Sequence, residues 1–313
     1  MPYNSIIDAT CADSLIPVEE ANEIIKAVPQ NSQVLAMAKR LPNMSSATKT
    51  MPVVSTLPTA YFVNGRTGLK NTTEMCWEDK TITAEELAVI VPVPESVLAD
   101  SQYPIWSEVR PYLLEAFGIA IDAAILIGTN APASWPDDIL TGAAAAANTV
   151  DLGSGADLYE ELLAETGVVS LIEADGYLPT GHLALTEMRG RLRNVRDADG
   201  GLIFTASMQG ANSYMLDGQP ISFVRNGSFT NASAYMFSGD WSQLVYSIRQ
   251  DMTWKIATEG IIQDGAGDIV YNLFQQDMVA LRAVMRLGWQ LPNPINRMEE
   301  TAANRYPFGA LIP

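Results

Sequence analysis

The chain contains a single histidine, His182, so any Ser-His-Asp or Cys-His relay would have to run through it. Neither a nucleophile elbow nor a reactive-cysteine signature accompanies it. It follows Gly181 where a helix is expected to begin, and the plain reading is a solvent-facing histidine at a helix cap. Gly153-Ser154-Gly155 opens a helical segment as a phosphate-cradling loop would. Leu158, however, stands where the third glycine of a dinucleotide fingerprint belongs, and no strand is expected before it. There is no Walker motif and no His/Cys/carboxylate spacing suited to a metal. The acidic pairs Asp137-Asp138 and Glu160-Glu161 are neighbours in sequence, which suits solvated faces. Arg189, Arg193 and Arg196 fall at i, i+4 and i+7 on one side of an expected helix. They could hold a phosphate or a neighbour's carboxylates, but a solvated face is the plainer reading. These patterns yield no catalytic, cofactor-binding or metal site.

With no chemistry to position, the elements themselves carry the information. The stretch from Val91 to Gly128 organises the chain. Pro92 and Pro94 favour extended backbone at its start. Ser101 offers a cap, and Pro104 suits a first helical turn. Ile105, Val109, Leu113, Phe117, Ala120, Ala124 and Ile127 then recur at three- and four-residue spacing, the stripe of one long amphipathic helix. Glu108, Arg110, Glu115 and Asp122 interrupt it, and Gly128 is a natural stop. Pro111 should kink this helix or delay its start, at a cost of about 3 kcal/mol. At 1.5 Å per residue the helix would run roughly 36 Å.

Around that girder the chain reads as parts that cannot stand alone. Residues 1–49 read as an arm with a short amphipathic helix over Pro17–Val28 and an apolar run over Val34–Leu41, and the pattern alone suits an N-terminal helical hairpin on its own core equally well. Met51–Val54, Ala60–Val63 and Met75–Trp77 suggest strands of a long hairpin whose turn formers (Asn64, Gly65, Gly68, Asn71) sit at polar tips. Such a ribbon is marginal in isolation and should lie on a neighbour. Between Ala131 and Thr180 there are nine acidic residues and no Lys or Arg. There a small-residue linker precedes a helix over Asp157–Ile172 broken at Gly167. A helix over Leu183–Asp197, a strand over Leu202–Thr205, a turn at Leu216–Pro220 and a strand over Ile221–Val224 follow. Together these describe an α+β domain. Val245–Ile248 and Thr253–Ala257 alternate as strands. A turn at Asp264–Asp268 leads into a long final strand, and the proline-bearing tail after it is expected to be irregular.

Composition narrows the function. Of 313 residues, 48% are apolar and 18% charged, and Lys plus Arg number 19 against 36 acidic residues, a net charge of −17. The low charged share suggests a surface largely covered by other protein, and the negative balance argues against sequence-specific nucleic-acid binding. Cys11 and Cys76 cannot make a disulfide scaffold. No secretory signal or membrane span is visible, so the four Asn-x-Ser/Thr triplets (Asn43, Asn71, Asn226, Asn231) carry little weight. A reducing, intracellular compartment is expected.

The order of these parts resembles the HK97-fold major capsid proteins of tailed bacteriophages. LAVIVPVPESVLADS followed by a long helix ending AIDAAILIG resembles the family's spine-helix region. LRNVRDADGGLIF, LDGQPISF, FSGDWSQLVYSIRQDMTWKI and DMVALRAVMRLGWQLPNP are similar to four later family segments in the same order. The resemblance implies an α+β HK97-like fold: an N-terminal arm (1–49), an E-loop (50–90), a P-domain with a long spine helix (91–129 and 240–291), and an A-domain (130–239 and 292–313). It implies a structural protein, not an enzyme, that self-assembles into pentamers and hexamers of an icosahedral shell enclosing double-stranded DNA. Portal, decoration and a separate scaffolding protein would be partners, with no cofactor and no membrane. Some family members join an E-loop lysine to an asparagine of a neighbour with the help of a glutamate. The lysine's counterpart region here holds Asp79 and Lys80, so a donor lies within one position, and Asn272 falls at the matching asparagine position. Met278-Val279-Ala280-Leu281 occupies the glutamate's place and leaves only Asp277 nearby, so no cross-link is expected. Two alternatives remain at this stage. An encapsulin-like nanocompartment would be recognised by protein cargo without DNA. A soluble α/β enzyme would be recognised by a small oligomer with a ligand pocket.

Overall fold

The structure, a computed structural model, describes residues 31–63, 65, 68–101, 104–196 and 214–313. Near its start Ser32 accepts the Leu35 amide at 3.0 Å and caps a short helix, α1 (Gln33–Met37). The chain then runs as β1 (Lys39–Arg40) parallel to the start of β10 (Val245–Ala257). Next comes a two-stranded antiparallel ribbon, β2 (Thr48–Thr56) with β3 (Cys76–Thr83). Its root is pinned. Ile82 is buried with Met44, Ala84 and Val245, and the Thr83 carbonyl accepts the Trp135 indole N–H at 3.2 Å. A Cβ on Gly288 would meet that same carbonyl at 2.2 Å, so only glycine lets the ribbon cross there.

β4 (Glu85–Pro94) returns into a four-stranded sheet of order β1-β10-β13-β4, where β13 (Met278–Gln290) pairs antiparallel with both β10 and β4. Pro92 and Pro94 are tolerated because β4 is an edge strand. α2 (Glu95–Asp100) follows, with Ser101 as its C-terminal cap. Pro104 then precedes α3 (Ile105–Ile127), a continuous helix of 23 residues with Pro111 inside it and Gly128 at φ 66° ending it. Ile121 and Ile125 of α3 pack with Tyr246, Ile248, Leu287 and Trp289 of the sheet.

α4 (Ile139–Ala145) and β5 (Thr149–Asp151) lead into the second unit. It comprises α5 (Leu158–Leu163), α6 (Val168–Ala174), β6 (Gly181–Leu185), α7 (Met188–Asn194), β7 (Met215–Leu216), β8 (Gln219–Val224) and β9 (Met236–Gly239). With the last strand, β14 (Phe308–Ile312), they form a six-stranded sheet of order β5-β14-β9-β6-β8-β7. The period of two sends alternate residues to opposite cores. Leu183, Phe237, Phe308 and Ala310 join Ile125 and Ile139 on one face. Ala184, Met236 and Leu311 meet α5, α6 and α7 on the other. Asp217 (φ 48°) and Gly218 (φ 74°) supply the positive φ values of the two-residue β7–β8 turn. The hairpin β11 (Ile261–Gln263) with β12 (Ile269–Asn272) projects from between β10 and β13.

The long helix, the break at Gly167, the β8 strand and the Asp264–Asp268 turn stand where the sequence puts them. Several elements do not. β6 replaces the start of the helix expected over Leu183–Asp197, because this strand is buried on both faces and shows no alternation. Ala60–Val63 is irregular, and the tail carries β14 as an internal strand. The linker after Thr141 becomes part of α4, with β5 beyond it. Residues 85–90, given to the hairpin loop, belong to β4 and pair with β13. The helix expected over Pro17–Val28, the strand over Leu202–Thr205 and Cys11 lie outside the described residues.

Candidate assembly surfaces

The residues singled out for chemistry are either taken up by the fold or left solvated. His182 is 1% exposed. Its Nδ1 lies 2.9 Å from Ser238 Oγ and its Nε2 lies 3.2 Å from the Leu216 carbonyl. Burial lowers its pKa to about 4, against weaker opposing effects of that carbonyl and Asp217. It is a neutral core residue bridging β6, β7 and β9, rather than a solvent-facing cap.

The glycine turn at 153–155 is closed by the chain's own carboxylates. Glu161 Oε1 accepts the Gly153 amide at 2.5 Å and the Gly155 amide at 3.3 Å, and Glu160 Oε2 accepts the Ala156 amide at 2.9 Å. A phosphate would find those donors taken. The Glu160-Glu161 pair is therefore structural, and Glu161 is buried. Asp138 caps α4 through the Thr141 amide at 2.9 Å, while its neighbour Asp137 is exposed.

The three arginines do not act together. Arg189 is half-buried, stacked 4.6 Å from the Tyr214 ring and 5.5 Å from Phe223, and it donates to the Tyr214 hydroxyl. Arg193 donates to the Arg189 carbonyl at 3.0 Å, and Arg193 and Arg196 are exposed. The face is thus half packing and half solvated. Lys80 sits on β3 against Glu78 at 3.1 Å. Asn272 ends β12 and donates to Gln275 Oε1 at 2.9 Å. Asp277 turns the chain into β13 at φ 47°. Among the described residues no group of three or more His, Cys, Asp or Glu is arranged to hold a metal. No described helix is long and apolar enough to cross a membrane.

Two buried charged residues have roles that the sequence does not announce. Asp122, taken as an interruption of the helical stripe, is 0% exposed and anchors the arm. Arg305, in the tail, is buried and donates to the carbonyls of Glu299 at 2.8 Å, Glu300 at 3.1 Å and Asn293 at 3.1 Å. It folds residues 293–305 into the loop that delivers β14. A lone carboxylate in AIDAAILIG was the available signal for Asp122. For Arg305 there was none, since its partners are main-chain carbonyls and the Asn293 side-chain oxygen at 3.1 Å, brought together only by the folded loop.

The surface holds what the interior does not explain. At the ribbon tip Phe62 is 104% and Leu69 87% exposed, with Tyr61, Met75 and Trp77 beside them. A second apolar group (Ile256, Ile261, Ile269, Val270, Tyr271, Phe274) surrounds the β11–β12 hairpin. Between α3 and β4 lies an apolar cavity of about 470 Å³, lined by Ala116, Ala120, Ala123, Leu87, Leu287 and Trp135 with Glu85 and Glu86. Exposed apolar area of this extent marks surfaces for other protein.

The sequence profile of the phage capsid family matches residues 12–295. The chain belongs to that family. A curated major capsid protein from Staphylococcus phage 80alpha is 28% identical over 288 residues, covering 88% of this chain and 81% of that protein. A solved structure from Microbacterium phage Oxtober96 superposes with a TM-score of 0.85 at 34% identity, covering 99% of this chain and all of the other. Another, from Mycobacterium phage Adephagia, gives 0.82 at 31% identity, with 99% and 98% covered. The HK97-like α+β fold expected from the sequence is therefore the fold of this capsid protein. The matches favour neither the nanocompartment nor the soluble enzyme.

Proposed function

We propose that copies of this capsid protein close into an icosahedral shell of pentamers and hexamers around double-stranded DNA. The observation that carries this reading is the ribbon, rooted in the subunit but presenting Phe62 and Leu69 to solvent with no cover from the described residues. In this reading residues up to 47 are the arm and 48–83 the E-loop. α3 with β4, β10 and β13 is the P-domain, and 130–239 with 292–313 the A-domain. The shell holds DNA by enclosure, since −17 per chain repels phosphate within a Debye length of about 8 Å at physiological salt. A separate scaffolding protein, a portal and decoration proteins would complete the particle in the host cytoplasm. The test is electron microscopy of the expressed protein, alone and with its scaffold, beside a deletion of Leu57–Asn71. Shells from the full chain, and folded subunits without shells from the deletion, are expected. Normal shells from the deletion would remove the ribbon from assembly.

A further inference from the structure

The Asp122 carboxylate stands at the meeting of three segments. Oδ1 accepts the Ser32 hydroxyl at 2.5 Å and the Val34 amide at 3.3 Å. Oδ2 accepts the Gln33 amide at 3.0 Å and the Asn226 side-chain amide at 3.4 Å. Three of its four donors thus come from the arm and the fourth from the β8–β9 connection. One turn away on α3, a Cβ at Gly118 would lie 2.7 Å from the Ser32 nitrogen, so the arm rests directly on the helix backbone. Beyond α1 the arm is held along the edge of β10 by main-chain bonds: Lys39 N–H to Leu244 O at 2.9 Å, Leu41 N–H to Tyr246 O at 2.8 Å, and Met44 N–H to Ile248 O at 2.9 Å.

We propose that Asp122 is a latch that seats the arm and sets its register on β10, so that breaking it releases residues 32–44 as one piece, drawing Val34 and Met44 out of the packing they complete, while the rest of the two cores stays folded. The energetics suit a latch rather than a permanent rivet. Burial raises the Asp122 pKa, the arm's donors act against that, and no charged group is among the causes of the shift. The carboxylate loses water when the arm docks and recovers it when the arm leaves, so the net preference is modest although each bond is charge-assisted. Ser32, Gln33 and Val34 carry no titratable group. The β8–β9 connection brings Arg225 next to Asn226, and α3 contributes no further charge within one turn of Asp122. Departure of the arm would bare the β10 edge at Val245–Ile248, a row of unpaired main-chain groups open to another strand.

Lys39 and Arg40 have exposed side chains on a paired backbone, so trypsin reads the latch. The full chain is digested under native conditions, and cleavage after Lys39 and Arg40 is timed by mass spectrometry. Lys70 at the exposed ribbon tip serves as a reference, and Arg282 within β13 reports global unfolding. Asp122→Asn presents N–H groups to donors and should speed arm cleavage at least tenfold without changing the Lys70 rate. Gly118→Ala leaves the carboxylate intact but puts a methyl where Ser32 sits, and should give the same acceleration. Should Asp122→Asn fail to fold, Gly118→Ala and Ser32→Ala decide the matter. Arm cleavage within twofold of the native rate, or keeping pace with cleavage at Arg282, would overturn the proposal.

Discussion

The six-stranded sheet and the β2–β3 ribbon are both built from short strands rich in apolar residues, yet only the sheet contains both sides of its contacts. Its strands send alternate residues into two cores closed by helices of the same chain. In the ribbon only Val53 and Ile82 among the strand residues are buried, and Ile82 lies at the root. Side chains of the same type therefore stabilise the subunit in one region and await a neighbour in the other. Hydrophobicity alone does not distinguish the two, whereas covering by the same chain does.

The sharpest way to break this contrast is to damage the sheet. Phe308 is fully buried in the penultimate strand of the order, with its ring 5.1 Å edge-on from Trp241, and a Cβ on Gly239 would already sit 2.2 Å from it. Phe308→Ala should cost about 3–5 kcal/mol, measured as a shift in the urea midpoint of the subunit. A loss below about 1 kcal/mol would mean that β14 is dispensable to the A-domain.

His182 offers a pH handle on the same sheet. Its folded pKa of about 4 lies below the unfolded value near 6.5, so the fold favours the neutral ring. That preference is fully present above pH 6.5 and is lost as pH falls through 6.5 toward 4. A shift of this size corresponds to about 3 kcal/mol. His182→Gln should flatten the stability slope between pH 7 and pH 4.5. An unchanged slope would place the acid sensitivity elsewhere.

The ribbon should behave in the opposite way. Phe62→Ser with Leu69→Ser should leave the denaturation midpoint of the free subunit within about 0.5 kcal/mol of the native value. Assembly should suffer instead. Burying one such side chain against a neighbour contributes about 1.5–3 kcal/mol, so the critical concentration for shells should rise tenfold or more. A destabilised subunit with normal assembly would invert the comparison.

What could be read in the sequence follows the same division. The long helix was legible because Pro104, its periodic stripe and Gly128 agree, and even Pro111 is accommodated early in α3. The Asp217-Gly218 turn was legible from local chemistry. β14 was not, because FGALI becomes a strand only by insertion between β5 and β9, a long-range event prepared by the Arg305 loop. Leu183–Leu185 read equally well as helix, and burial on both faces of β6 removed the alternation that would have decided. Phe62 and Leu69 were visible as apolar residues, but their exposure was not. Asp122 could be seen as out of place, yet its partners, two arm amides with the Ser32 hydroxyl and the Asn226 side chain, lie 88 or more residues away in sequence and form no local motif.

The smallest effect is expected at Lys80, the ribbon lysine beside the position that the family resemblance marks for a covalent bond to a neighbour. An isopeptide needs a deprotonated amine, an amide carbon and a base beside them. Lys80 is partly exposed and paired with Glu78 at 3.1 Å, an exposed ion pair contributing about 0–1 kcal/mol. Asn272 already spends its side-chain amide on Gln275 at 2.9 Å and its main-chain N–H on Gln276 at 3.0 Å. The run after it, Met278 to Leu281, is the start of β13 and pairs with Pro94 to Val91, so it offers no carboxylate. Asp277 is exposed, and its carbonyl accepts the Glu95 amide at 2.9 Å as part of the turn. The shell should therefore be held without cross-links. Purified shells boiled in SDS should give one band near 33.9 kDa, and Lys80→Ala should assemble as the native chain does. A ladder of multimers that survives reductant and vanishes in Lys80→Ala would show that a neighbour supplies the missing base.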